Sequence, residues 1–406
     1  MRIGLVSFHA FLKPGGVKTH ILGLHKELKK RKVYSKIIAP RRSWEENYGR
    51  DVILLGTSFP VTFGGSVSDF GIHFNPLAIE STLRREKFNV LHFHNFGFPS
   101  SFQILERSRS LNILTFHSNI KGSQLLKTFP VLFDILKKII DWKIDGIIGV
   151  APLSIKFFED YKGPKIVIPN GIDLEIFNPN APKVKKFLDS KINIIFVGRI
   201  DERKGLIYLL QAYRILEKKH KNLRLIIIGD GELRKECENF VKKNNLKEVH
   251  FEGMKSSKEV ASYCTASDIF CAPSIYGESF GIVILEGMAV GLPVVGFANQ
   301  GYKELLRGTK GEKFLAKSRD YKGLAQKLEI LIRDRNLREE MRDWGLKAVQ
   351  KYSWSNLTDQ VLDFYKLCQK EKQKRPKQPF SFNKSFNKAL DKVDEILQKD
   401  ILDWLE

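Results

Sequence analysis

The sequence predicts an α/β protein made of two doubly wound, parallel-sheet domains followed by a helical extension. Three observations predict it. Short apolar runs alternate with stretches of helical period, as a parallel sheet covered on both faces requires. The alternation starts afresh near residue 190, after a polar, Pro-containing link around Pro169–Ser190. A chain of 406 residues is also too long for one ordinary core and suits two domains of usual size. The boundaries read as 1–180, 181–370 and 371–406.

In the first half, Ile3–Phe8 reads as a buried strand leading into the turn Pro14-Gly15-Gly16. Val17, Ile21, Leu24 and Leu28 then recur at helical spacing, with Lys18, His25, Lys29 and Lys32 elsewhere on the wheel. Further strands are expected at Ile37–Ala39, Val52–Leu55, Val90–Phe93, Ile113–Phe116 and Gly146–Val150. The second set comprises Ile192–Val197, Leu223–Ile228, Val249–Glu252, Asp268–Ala272 and Pro293–Gly296. Asp320–Lys370 reads as helices and Lys370–Lys377 as a basic, Pro-containing linker. Beyond it Phe386, Leu390, Val393, Leu397 and Ile401 lie at helical intervals. Their polar face mixes both signs of charge, which suits packing on protein better than an anionic membrane.

Net charge is +22, from 68 basic against 46 acidic residues. An anionic partner follows: nucleic acid, an acidic membrane or a nucleotide diphosphate. Nucleic acid is disfavoured, because aromatic and basic residues are not interleaved and no nucleic-acid motif occurs. The densest basic stretch is Lys26–Lys36. No apolar run is long enough to span a bilayer, and the start lacks signal-peptide character, so the protein is expected in the cytosol or on the inner membrane face. The four cysteines have no metal-binding or disulfide spacing and read as buried free thiols.

The most informative segment is Gly277-Glu278-Ser279-Phe280-Gly281-Ile282 continuing to Glu286. Seven residues separate the two glutamates, so along a helix their carboxylates lie up to about 12 Å apart. That span fits a sugar, a diphosphate and a ribose, with phosphates at the helix start between them. Pro14-Gly15-Gly16-Val17 offers a second glycine turn before a helix. Phe196-Val197-Gly198-Arg199 through Lys204 follows a strand, and Arg199 and Lys204 are placed to neutralise a diphosphate. Ile228-Gly229-Asp230-Gly231 is another strand-to-turn junction, and Pro169-Asn170-Gly171 suits a hinge. His117 lies at a strand's carboxyl end, as do His92 and His94. The last two could ligate a metal at their i, i+2 spacing, but no third ligand is evident in sequence. Without an Asp-x-Asp motif, no divalent ion is expected at the diphosphate.

Taken together, these segments resemble the family-4 glycosyltransferases of the GT-B fold, with the phosphatidylinositol mannosyltransferase group nearest. The resemblance rests on Met1-Arg2-Ile3-Gly4 with Pro14-Gly15-Gly16-Val17, on Val90–His94 with Thr115-Phe116-His117, and on Ile168-Pro169-Asn170-Gly171. It rests also on Gly198-Arg199 with Arg203-Lys204-Gly205, and on Cys271-Ala272-Pro273 with Gly277–Ile282. It implies two Rossmann-like domains facing across a deep cleft, with the last helix returning to the first domain. The implied reaction is retaining transfer of a sugar, mannose first, from a nucleotide-sugar to a lipid or glycolipid acceptor at the cytoplasmic membrane face. Alternatives within the fold are a UDP-sugar with a soluble acceptor, or an epimerase.

The same resemblance implies residue roles. His117, Glu278, Arg199 and Lys204 would be catalytic, the last two on the diphosphate. Gly16 would approach the β-phosphate, Glu278 the donor-sugar hydroxyls and Glu286 the ribose. Gly15, Gly198, Gly229, Ser279, Phe280, Gly281 and Ile282 would complete the donor site, and His9, Lys18, Ser66 and Ser118 the acceptor site. No metal or other cofactor is implied, and the partners are the donor, the lipid acceptor and an anionic membrane surface. The chain departs from the group at His9, at Asp69, and at Met254-Lys255-Ser256-Ser257 near the expected base.

Overall fold

The computed structural model of the chain describes residues 1–11, 15–63, 66–73, 75–96, 100–117 and 130–374. Two compact units emerge, Met1–Ile168 together with the chain from Asp359, and Pro169–Thr358.

In the first unit the central strand β1 (Arg2–Ser7) is buried from Ile3 onward, as a strand covered on both faces must be. It pairs in parallel with β2 (Tyr34–Arg41) on one side and β5 (Val90–His94) on the other. Next come β6 (Leu111–Phe116), β7 (Gly146–Gly149) and β8 (Lys165–Val167), also parallel. With β3 (Val52–Phe63) and β4 (Ser66–Ile72) the sheet has eight strands in the order β4-β3-β2-β1-β5-β6-β7-β8. Reading outward from β1, the order reverses between β1 and β5, where ligands of open α/β sheets bind.

The edge corrects the sequence reading. β3 runs well beyond the expected Val52–Leu55 and returns antiparallel as β4, from Thr57↔Ile72 to Phe63↔Ser66. The extension alternates Thr, Ser, Phe and Val without a continuous apolar run. Pro60 is tolerated because pairing with β2 ends at Arg41↔Thr57, leaving no neighbour there for its missing N–H. The helix α1 (Gly16–Lys30) buries Ile21, Leu24 and Leu28 as expected. It also buries His20 and His25, the latter assigned by pattern to the polar side; its Nδ1 lies 2.9 Å from Ser35 Oγ. Helices α2 (Pro76–Glu86), α3 (Ser100–Arg107), α4 (Pro130–Lys143) and α5 (Pro152–Lys156) follow in chain order.

The second unit repeats the plan with β9 (Ile192–Val197), β10 (Leu223–Ile228), β11 (Val249–Gly253), β12 (Ile269–Ala272), β13 (Val294–Phe297) and the two-residue β14 (Leu315–Ala316). All pairs are parallel, and the order β11-β10-β9-β12-β13-β14 places the switch point between β9 and β12. Its helices are α6 (Leu206–Lys219), α7 (Arg234–Lys243), α8 (Ser257–Thr265), α9 (Ile282–Ala289), α10 (Gln300–Leu306), α11 (Tyr321–Arg333) and α12 (Arg335–Val349). Ile194, Phe196, Leu225 and Ile227 face one apolar cluster, while Ile195, Ile226 and Ile228 face the other.

The last helix, α13 (Trp354–Lys374), starts in the second unit and belongs to the first from Asp359. It absorbs Lys370–Lys374, read from sequence as linker. Lys, Glu and Gln are strong helix formers, and Lys372 Nζ is tied at 2.7 Å to Ser110 O and to Asp145. The expected amphipathic segment beyond it lies outside the described residues. All four cysteines are free and buried. Among the described residues no helix is long and apolar enough to cross a membrane.

Candidate active site

In the second unit the chemistry gathers at the carboxyl ends of β9 and β12. The turn after β9 is capped by Asp201, whose carboxylate accepts from the Lys204 amide at 2.9 Å. That cap directs Lys204 inward. Its ammonium donates to Glu278 Oε1 at 2.7 Å, with both side chains nearly buried. Arg203 approaches the same oxygen at 3.8 Å and donates to Gly277 O at 3.1 Å. Burial alone would raise the Glu278 carboxyl, but Lys204, then Arg203 and a Ser274 hydrogen bond, hold it below its ordinary value.

The loop carrying Glu278 is fixed from beneath. Asn299 Nδ2 donates to Ser274 O at 2.9 Å, and the Tyr302 hydroxyl lies 3.1 Å from Ser274 Oγ. Gly281 then turns the chain into α9 with φ of 106°, a conformation that side chains disfavour; a Cβ there would press the Tyr302 ring. No side chain caps α9, so its first amides are uncommitted to side-chain acceptors. Glu286, one turn in, is only partly exposed. Burial pushes its carboxyl up to about 7, against a smaller opposing pull from Lys204. Gly198 and Gly229 meet back to back, since a Cβ on Gly229 would lie 1.9 Å from Gly198 O.

Arg199 does not join this cluster: its side chain is mostly exposed and pairs with Asp201 at 3.2 Å. Arg203, left out of the expected catalytic set, takes the place beside Glu278. The sequence signal for it was only its position in the Arg203-Lys204-Gly205 motif.

In the first unit a second constellation forms at the β1/β5 switch point. Ser7 pairs with His94, and Asn95 follows with a left-handed φ of 57°. From there Asn95 Oδ1 accepts the His117 amide at 2.7 Å. His94 Nδ1 lies 3.3 Å from His117 Nε2, and His20 of α1 packs edge-on to His117 at 4.6 Å between ring centres. Ligand nitrogens of His20, His94 and His117 all lie within 4.8 Å of one another. Sequence offered only His92 and His94 and no third ligand; His20 lies too far upstream for spacing to reveal it. His92, on the same face of β5, lies against His94 and is itself held between Tyr365 Oη at 2.7 Å and Thr115 Oγ1 at 2.6 Å. Burial drives both His92 and His94 well below the ordinary imidazole range, so both are neutral.

Of the expected acceptor residues, His9 is pushed down to about 4 by burial and by the nearby Arg42 charge. Lys18 Nζ donates to Phe11 O, and burial lowers its ammonium as well. Gly15 ends in an extended conformation and Gly16 opens α1, again without a side-chain cap. Ser66 lies on β4 with its side chain outside the described residues, and Ser118 lies outside them altogether.

Comparison with known proteins decides the family. Residues 178–347 match the model of glycosyl transferases group 1, and residues 14–176 that of glycosyltransferase family 4. A phosphatidyl-myo-inositol mannosyltransferase of Mycobacterium leprae is 32% identical over 378 residues, covering 90% of this chain and 96% of its own length. The chain belongs to the family-4 glycosyltransferases. This glycosyltransferase is also 30% identical to an uncharacterized glycosyltransferase of Methanocaldococcus jannaschii, over 86% of this chain and 94% of that one. Among solved structures, sucrose-phosphate synthase from Thermosynechococcus elongatus aligns with a TM-score of 0.73 at 20% identity, over 91% of this chain and 99% of that one. Anabaena HepE in complex with UDP and glucose aligns at 0.70 and 18%, over 90% and 99%. At those identities the likeness shows the fold, two Rossmann-like units of GT-B type.

Proposed function

We propose that this glycosyltransferase moves mannose from GDP-mannose to a lipid or glycolipid acceptor at the cytoplasmic membrane face, with retention of configuration. The carrying observation is the Lys204–Glu278–Arg203 cluster beside the uncapped start of α9. Two cations and a set of amides converge there, as a departing diphosphate requires. Lys204, with Arg203 and Arg199, stabilises the leaving diphosphate. Glu278 holds donor-sugar hydroxyls, Glu286 the ribose, and Ser279 through Ile282 the phosphates. Gly15 and Gly16 present α1 amides to phosphate, and Gly198 and Gly229 keep the strand ends low enough for a ligand. His117 serves the sugar and its phosphate, and His9, Lys18, Ser66 and Ser118 serve the acceptor. The reading needs no metal.

The choice of mannose and of a lipid acceptor is supported by the names of relatives that are phosphatidyl-myo-inositol mannosyltransferases. Membrane attachment is supported by the net charge of +22. The Lys26–Lys36 stretch contributes less to it than its sequence implies, because Lys29 pairs with Asp51, Arg31 with Glu27 and Asp359, and Lys36 with Glu86.

The test is a thermal-shift panel of nucleotide diphosphates and nucleotide-sugars without added metal, on wild type and Glu286→Ala. A GDP-specific shift that the substitution weakens supports the reading. A UDP-specific shift discards the mannosyl assignment, and no shift with any nucleotide removes the donor site from this location.

A further inference from the structure

His94 is fully buried on β5, reaches no surface and has no role in the reaction outlined above. Its neighbours nevertheless fix it closely. Its ring lies against His92, centre to centre at 4.3 Å, and His92 is held at both nitrogens by Tyr365 and Thr115. On its other side stands His117, whose main chain is held by Asn95. Between the two rings runs one contact, His94 Nδ1 to His117 Nε2 at 3.3 Å. The remaining nitrogen, His94 Nε2, is buried with no hydrogen-bond partner.

That orphan decides where the protons are. A neutral imidazole carries one N–H and one bare nitrogen. If His117 Nε2–H donated, His94 would have to carry its own proton on Nε2, a buried donor with no acceptor. If His94 Nδ1–H donates, the orphan is only an unused lone pair, the more tolerable of the two deficits. A doubly protonated His94 would leave both a buried charge and an orphan donor, and burial opposes it.

We infer that His94 is a positioning residue: its Nδ1–H donates to His117 Nε2 and thereby holds His117 as the Nδ1–H tautomer, a hydrogen-bond donor. This rests on the proposed role of His117 and gives it a direction: Nδ1–H is offered to an oxygen of the sugar or its phosphate. The partner of a functional histidine's second nitrogen commonly sets its tautomer in this way. A metal held by His20, His94 and His117 is the competing use of the same rings. Bond lengths near 2.05 Å would need nitrogens about 3.4 Å apart. The three groups of nitrogens lie within 4.8 Å of one another, and the edge from His94 to His117 is already taken up by a hydrogen bond.

The experiment uses the full chain labelled with nitrogen-15 histidine, with long-range nitrogen–proton correlation spectra near neutral pH and His117→Asn to assign the resonance. His117 is expected as the Nδ1–H tautomer. In His94→Asn the side-chain amide replaces the Nδ1–H donor, so the tautomer and most of kcat should be retained. In His94→Phe the donor is gone; His117 should become a tautomer mixture and kcat fall about 10- to 100-fold with little change in donor KM. Wild-type His117 found as Nε2–H overturns the inference, and so does stoichiometric Zn²⁺ that shifts His20, His94 and His117 together. Should His94→Phe fail to fold, the wild-type spectrum decides alone. An Nδ1–H His117 in a protein that transfers no sugar upholds the tautomer assignment and refutes the proposed activity instead.

Discussion

Replacing Glu286 by Gln should make the second unit more stable as the pH rises, even though the proposed function places Glu286 at the ribose. Burial raises this carboxyl from its ordinary 4.5 to about 7. The native state therefore holds the proton over a range where the unfolded chain has released it. Stability from this group is fully present below 4.5 and is lost as pH climbs through 7. At about 1.4 kcal/mol per pH unit, the interval corresponds to roughly 3 kcal/mol of destabilisation once Glu286 is ionised. Gln keeps the shape and hydrogen-bonding reach but has no charge to desolvate, so it escapes that cost. Urea unfolding of both proteins from pH 5 to 9 reads the difference directly. The gap should be small near pH 5, widen to pH 7, and level off at roughly 3 kcal/mol in favour of the variant. A gap that does not change with pH, or a variant less stable at pH 8, would refute the assignment of Glu286 as a strained buried acid. If Glu286 also holds the ribose, Gln should weaken nucleotide binding less than Ala does, because its amide oxygen still accepts from a ribose hydroxyl.

Lys204→Met should cost about 2 kcal/mol at neutral pH, less than a fully buried half-pair because Arg203 stands 3.8 Å from Glu278. Adding Glu278→Gln should recover most of it, and urea melts of the four proteins give the coupling. That stabilisation belongs to a carboxyl held below its ordinary value, so it is present above pH 4.5 and lost as acid protonates Glu278. Tyr365→Phe should cost about 1–3 kcal/mol by leaving His92 Nδ1 buried and unpaired, seen as a lower melting temperature of the first unit. Gly229→Ala should fold poorly or not at all, since its Cβ would overlap Gly198 O at a φ of 136°; soluble yield and calorimetry check it.

Much of the fold was legible because parallel strands buried on both faces write themselves as apolar runs, and β1, β9 and β10 are such runs. Strands of another kind were not. The β3–β4 hairpin alternates polar and apolar residues at an edge, and β8 and β14 are too short for any periodicity to register. The site was legible where one segment carries it, as from Gly277 to Glu286. It was illegible where tertiary contact creates it. His20 and His117 stand 97 positions apart in sequence and meet only because α1, packed against β1 and β2, sets His20 beside the rings of His94 and His117. Arg203 and Arg199 look equivalent on paper, yet the Asp201 cap turns Lys204 inward, keeps Arg199 on its own carboxylate and leaves Arg203 beside Glu278.

The two glutamates of the spaced pair illustrate how one motif yields two chemistries. Glu278 sits 2.7 Å from an ammonium and is held below its ordinary value, so at neutral pH it is an anion already engaged with Lys204. Glu286 has no cation so near, burial dominates, and at neutral pH it is divided between acid and carboxylate. Environments that push two like groups in opposite directions commonly mark a division of labour. On the proposed reading, a diphosphate and Glu278 compete for the same Lys204 ammonium. Donor binding would then free Glu278 to accept hydrogen bonds from sugar hydroxyls at the moment the phosphate claims its cation. Glu286 needs no such exchange: as an acid or a carboxylate it can still accept a hydrogen bond from a ribose hydroxyl. Nucleotide affinity should therefore vary little with pH around 7, while the rate of transfer should follow the state of the Lys204–Glu278 pair.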